Sequence, residues 1–173
     1  ERIMKEVHTL YKLIFLYLLD RVEFPLTNGQ ICAFVAEEQY TDYFTVQETL
    51  ADMVESKLLE TELVRNSTFY SLTDSGKETL SYFKDDISTA IRKDIESYLK
   101  KNKMKLRDEN AVLADYSNLD EGRFSVTLQI KEKDNYIVDM TLVVPDERQA
   151  IMLCDNWKKK SSEIYRHLMK ELM

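Results

Sequence analysis

The stretch Phe69–Leu80, FYSLTDSGKETL, decides how the chain is read. Thr68–Leu72 is rich in β-formers, and Thr73 follows it as a helix N-cap, offering its hydroxyl to a free backbone N–H of the next turn. Asp74 then lies where the helix dipole favours a negative charge. Gly76 is a poor helix former in that first turn, so it reads as a residue kept for close packing. Upstream, Leu58–Arg65 is a second strand, with Asn66-Ser67 as the turn, because Asn tolerates positive φ.

Further out the helical period takes over. Val7, Leu10, Tyr11, Ile14, Phe15, Leu18 and Leu19 mark one buried stripe on a helix over Glu6–Val22. Pro25 ends it. Thr27 with Gln30 makes a capping box that opens a second helix through Ile31, Phe34 and Val35 to about Glu38. Thr45 with Glu48 repeats the device and opens a third, with a looser turn from Thr41 as a candidate start ahead of it; it points Val46, Leu50, Met53 and Val54 inward and Gln47, Glu48, Ala51, Asp52 and Glu55 outward. Helix, strand, tight turn, strand, capped helix is the layout of a winged helix-turn-helix.

The phrase Tyr70-x-Leu72-Thr73-x-x-Gly76-x-x-x-Leu80, with Leu50-x-x-Met53 ahead of Leu58, resembles the wing of PadR-like and MarR-like bacterial regulators over roughly residues 7–82. The whole layout also resembles an uncharacterised bacterial family known as a domain of unknown function. The wing resemblance implies transcriptional regulation, with Thr45, Gln47, Thr49, Arg65, Asn66 and Ser67 as DNA-contacting residues.

A helix opens at Asp74, and another carries Ile87, Ala90, Ile91, Ile95, Tyr98 and Leu99 into the basic run Lys100–Arg107, either continuous with it or broken near Asp85–Ser88. Beyond it the period falls to two. Ala111–Tyr116 is a strand and Asn118–Gly122 a turn, and Phe124, Val126, Leu128 and Ile130 alternate with polar residues. Asp134-Asn135 is a hairpin tip, and Tyr136, Val138, Met140, Leu142 and Val144 share one face of a third strand. Asp146 with Gln149 caps a final helix with Ala150, Cys154, Trp157, Ile164 and Leu168 on its apolar stripe. Three strands need a cover on one face, which this helix supplies, with Ile87–Leu99 as a possible second part of the cover. A helix from Asp146 to the end spans about 42 Å against about 30 Å for a nine-residue strand, so it overhangs the sheet. The expected class is α+β: a winged helix domain at 1–84, a connecting helix at 85–107, and a three-stranded antiparallel sheet with its helix at 108–173.

No apolar run approaches the ~18 residues of a membrane span, and no signal peptide is visible, although a start at Glu1 suggests a trimmed chain. Cys32 and Cys154 read as free thiols of a reducing, cytoplasmic protein. There is no P-loop, nucleophile elbow, dinucleotide glycine pattern or metal-ligand spacing. His8 and His167 are isolated, and Asp85-Asp86 and Glu37-Glu38 read as solvated helix faces. Neither an enzyme nor a cofactor is expected.

Charge sets the two function classes against each other. The net charge of −7 lies wholly in residues 1–80, while residues 81–173 balance. Between Asp42 and Glu62 six acids face Lys57 alone, a local charge of −5. Phosphate neutralisation supplies most non-specific DNA affinity, so DNA is a possible but electrostatically disfavoured partner. Lys100–Arg107 and Lys158–Lys160 could aid it, although both read better as solvated helix surface. One reading is a regulator, homodimeric through its C-terminal half, with two recognition helices in successive major grooves. The alternative is a winged helix turned protein-interaction module, its acidic face meeting a basic partner.

Overall fold

The computed structural model describes residues 2–173, with side chains from Val7 onward. Glu1 of the expected first domain and the Glu6 side chain lie outside the described residues. The class is α+β, with two three-stranded antiparallel sheets in separate units. The first unit runs through Leu63 and takes up again over Ser67–Arg107; the second comprises Val64–Asn66 and Asp108–Met173. The basic helix end thus groups with the first unit.

The first unit is built on α1 (Arg2–Val22), β1 (Leu26–Thr27), α2 (Asn28–Glu38), α3 (Tyr43–Glu55), β2 (Leu59–Val64) as far as Leu63, β3 (Ser67–Leu72), α4 (Asp74–Phe83) and α5 (Thr89–Ala111) as far as Arg107. This is the winged helix-turn-helix arrangement, with strand order β1-β3-β2. β1 has no counterpart in the sequence reading: two residues carry no periodicity, and Leu26 and Thr27 are strand only because Tyr70 and Phe69 pair with them. α1 also exceeds its expected stripe. Every residue from Leu13 to Leu19 is buried, so this helix is enclosed by the unit rather than laid against it. Phe34 anchors the far side, its ring 5.0 Å from Tyr98 and 5.8 Å from Tyr40, both edge-on. Ile87, Ile95, Tyr98 and Leu99 belong to this core and not to the second sheet. A 3₁₀ turn at Lys84–Asp86 separates α4 from α5.

Local signals hold at most helix starts. Both halves of the Thr27/Gln30 capping box form. Thr73 caps α4, accepting from Gly76 N at 3.0 Å, and its hydroxyl donates to the carbonyls of Lys57 at 2.6 Å and Leu58 at 3.1 Å. One threonine therefore starts the helix and ties it to the base of the wing. Lys57 adopts φ 59°, the left-handed stop. Two details differ. α3 starts earlier, capped by Asp42, whose carboxylate accepts from Thr45 N at 3.0 Å and Thr45 Oγ1 at 3.0 Å. An ionised side chain is the stronger acceptor for the free N–H groups. The wing turn is Arg65-Asn66, with positive φ on Arg65, one residue before the expected Asn66-Ser67.

In the second unit β4 (Val112–Asn118), β5 (Phe124–Glu132) and β6 (Asn135–Val144) pair in sequence order. α6 (Glu147–Leu172) closes one face with Ala150, Cys154, Trp157 and Ser161, and Trp157 Nε1 donates to Gln129 O at 3.1 Å. Asp146 caps it, accepting from Gln149 N at 2.8 Å. α5 continues through Ala111, so β4 begins one residue later than expected. The tip between β5 and β6 is Lys133-Asp134, with Lys133 at φ 54°. The register steps between Ile130 and Lys131, leaving Ile137 unpaired and Tyr136 opposite Lys131. That bulge moves Tyr136 off the face it was expected to share with Val138; its ring lies 5.8 Å from the Lys131 ammonium. Past Ser161 the charged residues of α6 are exposed, as are Leu172 and Met173.

Candidate functional site

α3 and the wing are where both functional readings place a partner. Val46, Thr49, Leu50 and Met53 are buried under the helix. The Thr49 hydroxyl donates back to Thr45 O at 2.7 Å, so this expected contact residue is part of the core.

Gln47 is also withdrawn. Its amide and that of Asn28 exchange hydrogen bonds at 2.8 and 2.9 Å, and Asn28 Nδ2 reaches the Tyr70 hydroxyl at 3.3 Å. The pair clamps the start of α2 to α3 and β3. Cys32 lies against it, 3.4 Å from Gln47 Nε2, and burial pushes its thiol pKa up. An amide that satisfies its neighbour in this way has no free donor–acceptor fork for an adenine edge. The helical period could not reveal this, because Gln47 sits at the rim of the inward face and its partner is nineteen residues away.

The wing residues divide. Residues 64–66 group with the second unit, where Arg65 Nη1 donates to Asp155 Oδ1 at 2.8 Å. Asn66 and Ser67 are exposed. Of the six expected contact residues, Thr45, Gln47, Thr49 and Arg65 thus hold internal bonds through their side chains.

What α3 presents outward is acidic and aromatic. Glu48, Ala51, Asp52 and Glu55 are exposed, with Glu60 and Glu62 on β2. Lys12 forms an ion pair with Asp52, and hydrogen bonding to that lysine holds the Asp52 carboxyl below its usual range. At the helix start Tyr43 and Phe44 stack edge-on at 5.8 Å, and Phe44 is 80% exposed. Leu63, on the strand next to the tip, is 68% exposed. The sequence reading missed this aromatic pair. Its signal was present: Tyr43 and Phe44 stand just ahead of the buried set at a spacing that cannot turn both inward.

The basic runs are partly committed. Lys103 Nζ donates to Arg21 O at 3.1 Å and Glu23 Oε2 at 2.8 Å. Lys158 Nζ donates to Val112 O at 3.0 Å, and burial with Arg65 nearby lowers its pKa. An open depression of about 620 Å³ is lined by Arg21, Glu96, Ser97, Leu99, Lys100 and Lys103. Two of its charges pair across it: Arg21 Nε donates to Glu96 Oε1 at 2.6 Å, and the Tyr17 hydroxyl donates to the same oxygen at 3.0 Å. Among the described residues no cluster of His, Cys, Asp and Glu is arranged to hold a metal ion. No described helix is long and apolar enough to cross a membrane.

Fold and surface together define a two-unit α+β protein whose first unit is a winged helix-turn-helix, with acidic side chains and an exposed aromatic pair on the outer side of α3. Residues 11–172 match the model of the family described as Domain of unknown function (DUF4364), and the chain belongs to that family. No curated protein and no solved structure matches it.

Proposed function

We propose that the winged helix is a protein-interaction module whose α3 face docks a basic partner. The observation that carries this reading is Phe44, exposed and stacked on Tyr43 at the head of α3 inside a surface of net charge −5 over Asp42–Glu62. Aromatic residues are enriched at the buried centre of protein interfaces, and polar and charged groups lie at the rim. Opposite charge on the partner raises the association rate and sets specificity. A duplex meets repulsion at the same place, and the expected contact residues of α3, Thr45, Gln47 and Thr49, hold internal bonds. No catalytic role is assigned to the chain.

The regulator reading rests on the helix-turn-helix order and the exposed wing residues Asn66 and Ser67. It requires Gln47 to leave Asn28. One experiment separates the two: a photoreactive aromatic residue at position 44, irradiated in cells. Protease-sensitive adducts that disappear when Glu48, Asp52 and Glu55 become lysines support the interaction module. Nuclease-sensitive adducts support the regulator and overturn our reading.

A further inference from the structure

We propose that the free edge of β6 pairs antiparallel with β6 of a second copy, joining two three-stranded sheets into one of six. The proposal goes beyond the reading of the first unit and does not depend on what α3 binds.

β6 is the outer strand of its sheet and ten residues long. An unpaired strand edge carries a row of unmet N–H and C=O groups, which single-copy proteins blunt with lysines, prolines or bulges. Here the bulge at Ile137 disturbs only one end, and from Val138 to Val144 the strand has one charge, Asp139. Its apolar side chains are left open: Val143 is 54% exposed, Ile137 45% and Leu142 42%. α6 does not shield Leu142 as it does Val126 and Leu128 on β5.

The occupant follows from the strand's own order. In a two-fold antiparallel pair the partners' numbers add to a constant, and only an even sum keeps the apolar faces together. A centre on Asp139 sets two carboxylates opposite each other, which is destabilising. A centre on Thr141 sets Asp139 against Val143. A centre on Met140 sets Asp139 against Thr141, whose hydroxyl can donate to it, and Val138 against Leu142, with Val143 at the bulge end of the partner strand. The strand is self-complementary in that register alone of the three. Charge also permits it: residues 81–173 balance, so two copies of this half do not repel.

The test uses the full chain. Sedimentation velocity finds a dimer, and Val143→Lys, at an exposed position, raises its dissociation constant about thirtyfold with an unchanged circular dichroism spectrum. Two-fold centring makes Met140→Cys cross-link to itself under mild oxidation. Asp139→Cys and Thr141→Cys cross-link only when mixed. A monomer at ~100 µM overturns the proposal. So does a dimer that Val143→Lys leaves intact and Met140→Cys does not trap, since its interface then lies elsewhere.

Discussion

Replacing Gly76 by Ala sets two large effects against each other, and the structure decides the sign. Gly76 is buried in the first turn of α4. Helix propensity alone favours Ala by about 1 kcal/mol. A Cβ at this position, however, would lie inside contact distance of the Leu58 carbonyl oxygen and 3.2 Å from its carbon, with the Leu16 methyl at 3.4 Å. The obstacle is backbone, so it cannot rotate away. Leu58 O also accepts from Thr73 N at 3.2 Å and Thr73 Oγ1 at 3.1 Å, and displacing it strains both bonds. Overpacking costs about 1–3 kcal/mol, and each weakened hydrogen bond adds about 1 kcal/mol. The net expectation for Gly76→Ala is a loss of about 2–4 kcal/mol, a fall in Tm of roughly 10 °C. Urea unfolding followed by circular dichroism measures it, with Ser75→Ala, at the exposed neighbour, as the propensity control. If Gly76→Ala proves as stable as the parent chain, the close approach of α4 to the base of the wing is not what selects glycine.

Three other outcomes follow from the geometry. Gln47→Ala leaves Asn28 without its reciprocal amide and lowers stability by about 1–3 kcal/mol in urea unfolding; an unchanged midpoint refutes the clamp. Hydrogen bonding from Arg21 holds the Glu96 carboxyl below its usual range, so its contribution is present above the ordinary carboxylate pKa and is lost as pH falls through the depressed folded value. With the two side chains 47% and 44% exposed, screening limits this to about 0.5–1 kcal/mol, and Glu96→Gln flattens the decline in stability below about pH 4 by that amount. At Lys57, held at φ 59°, Lys57→Val loses more than about 1 kcal/mol relative to Lys57→Gly in thermal unfolding, because a β-branched side chain fits the left-handed region worst.

Much of this protein was legible in its residue order because the signals are local. Thr27 with Gln30, Thr73 ahead of Gly76, and Asp146 with Gln149 cap helices through bonds that span three residues, and a sequence displays such spacings directly. The alternation through Val126 and Leu128 and the stripe through Cys154 and Trp157 display the second unit in the same way. What the tertiary structure alone decided involves partners far along the chain. β1 exists because Tyr70 and Phe69 lie beside it. Gln47 turns from reader to clamp because Asn28 is within reach. Arg65 is engaged by a carboxylate ninety positions away. Periodicity states which face of a helix is apolar, but a polar side chain at the rim of that face goes to whichever complementary group the packed chain brings within hydrogen-bonding distance.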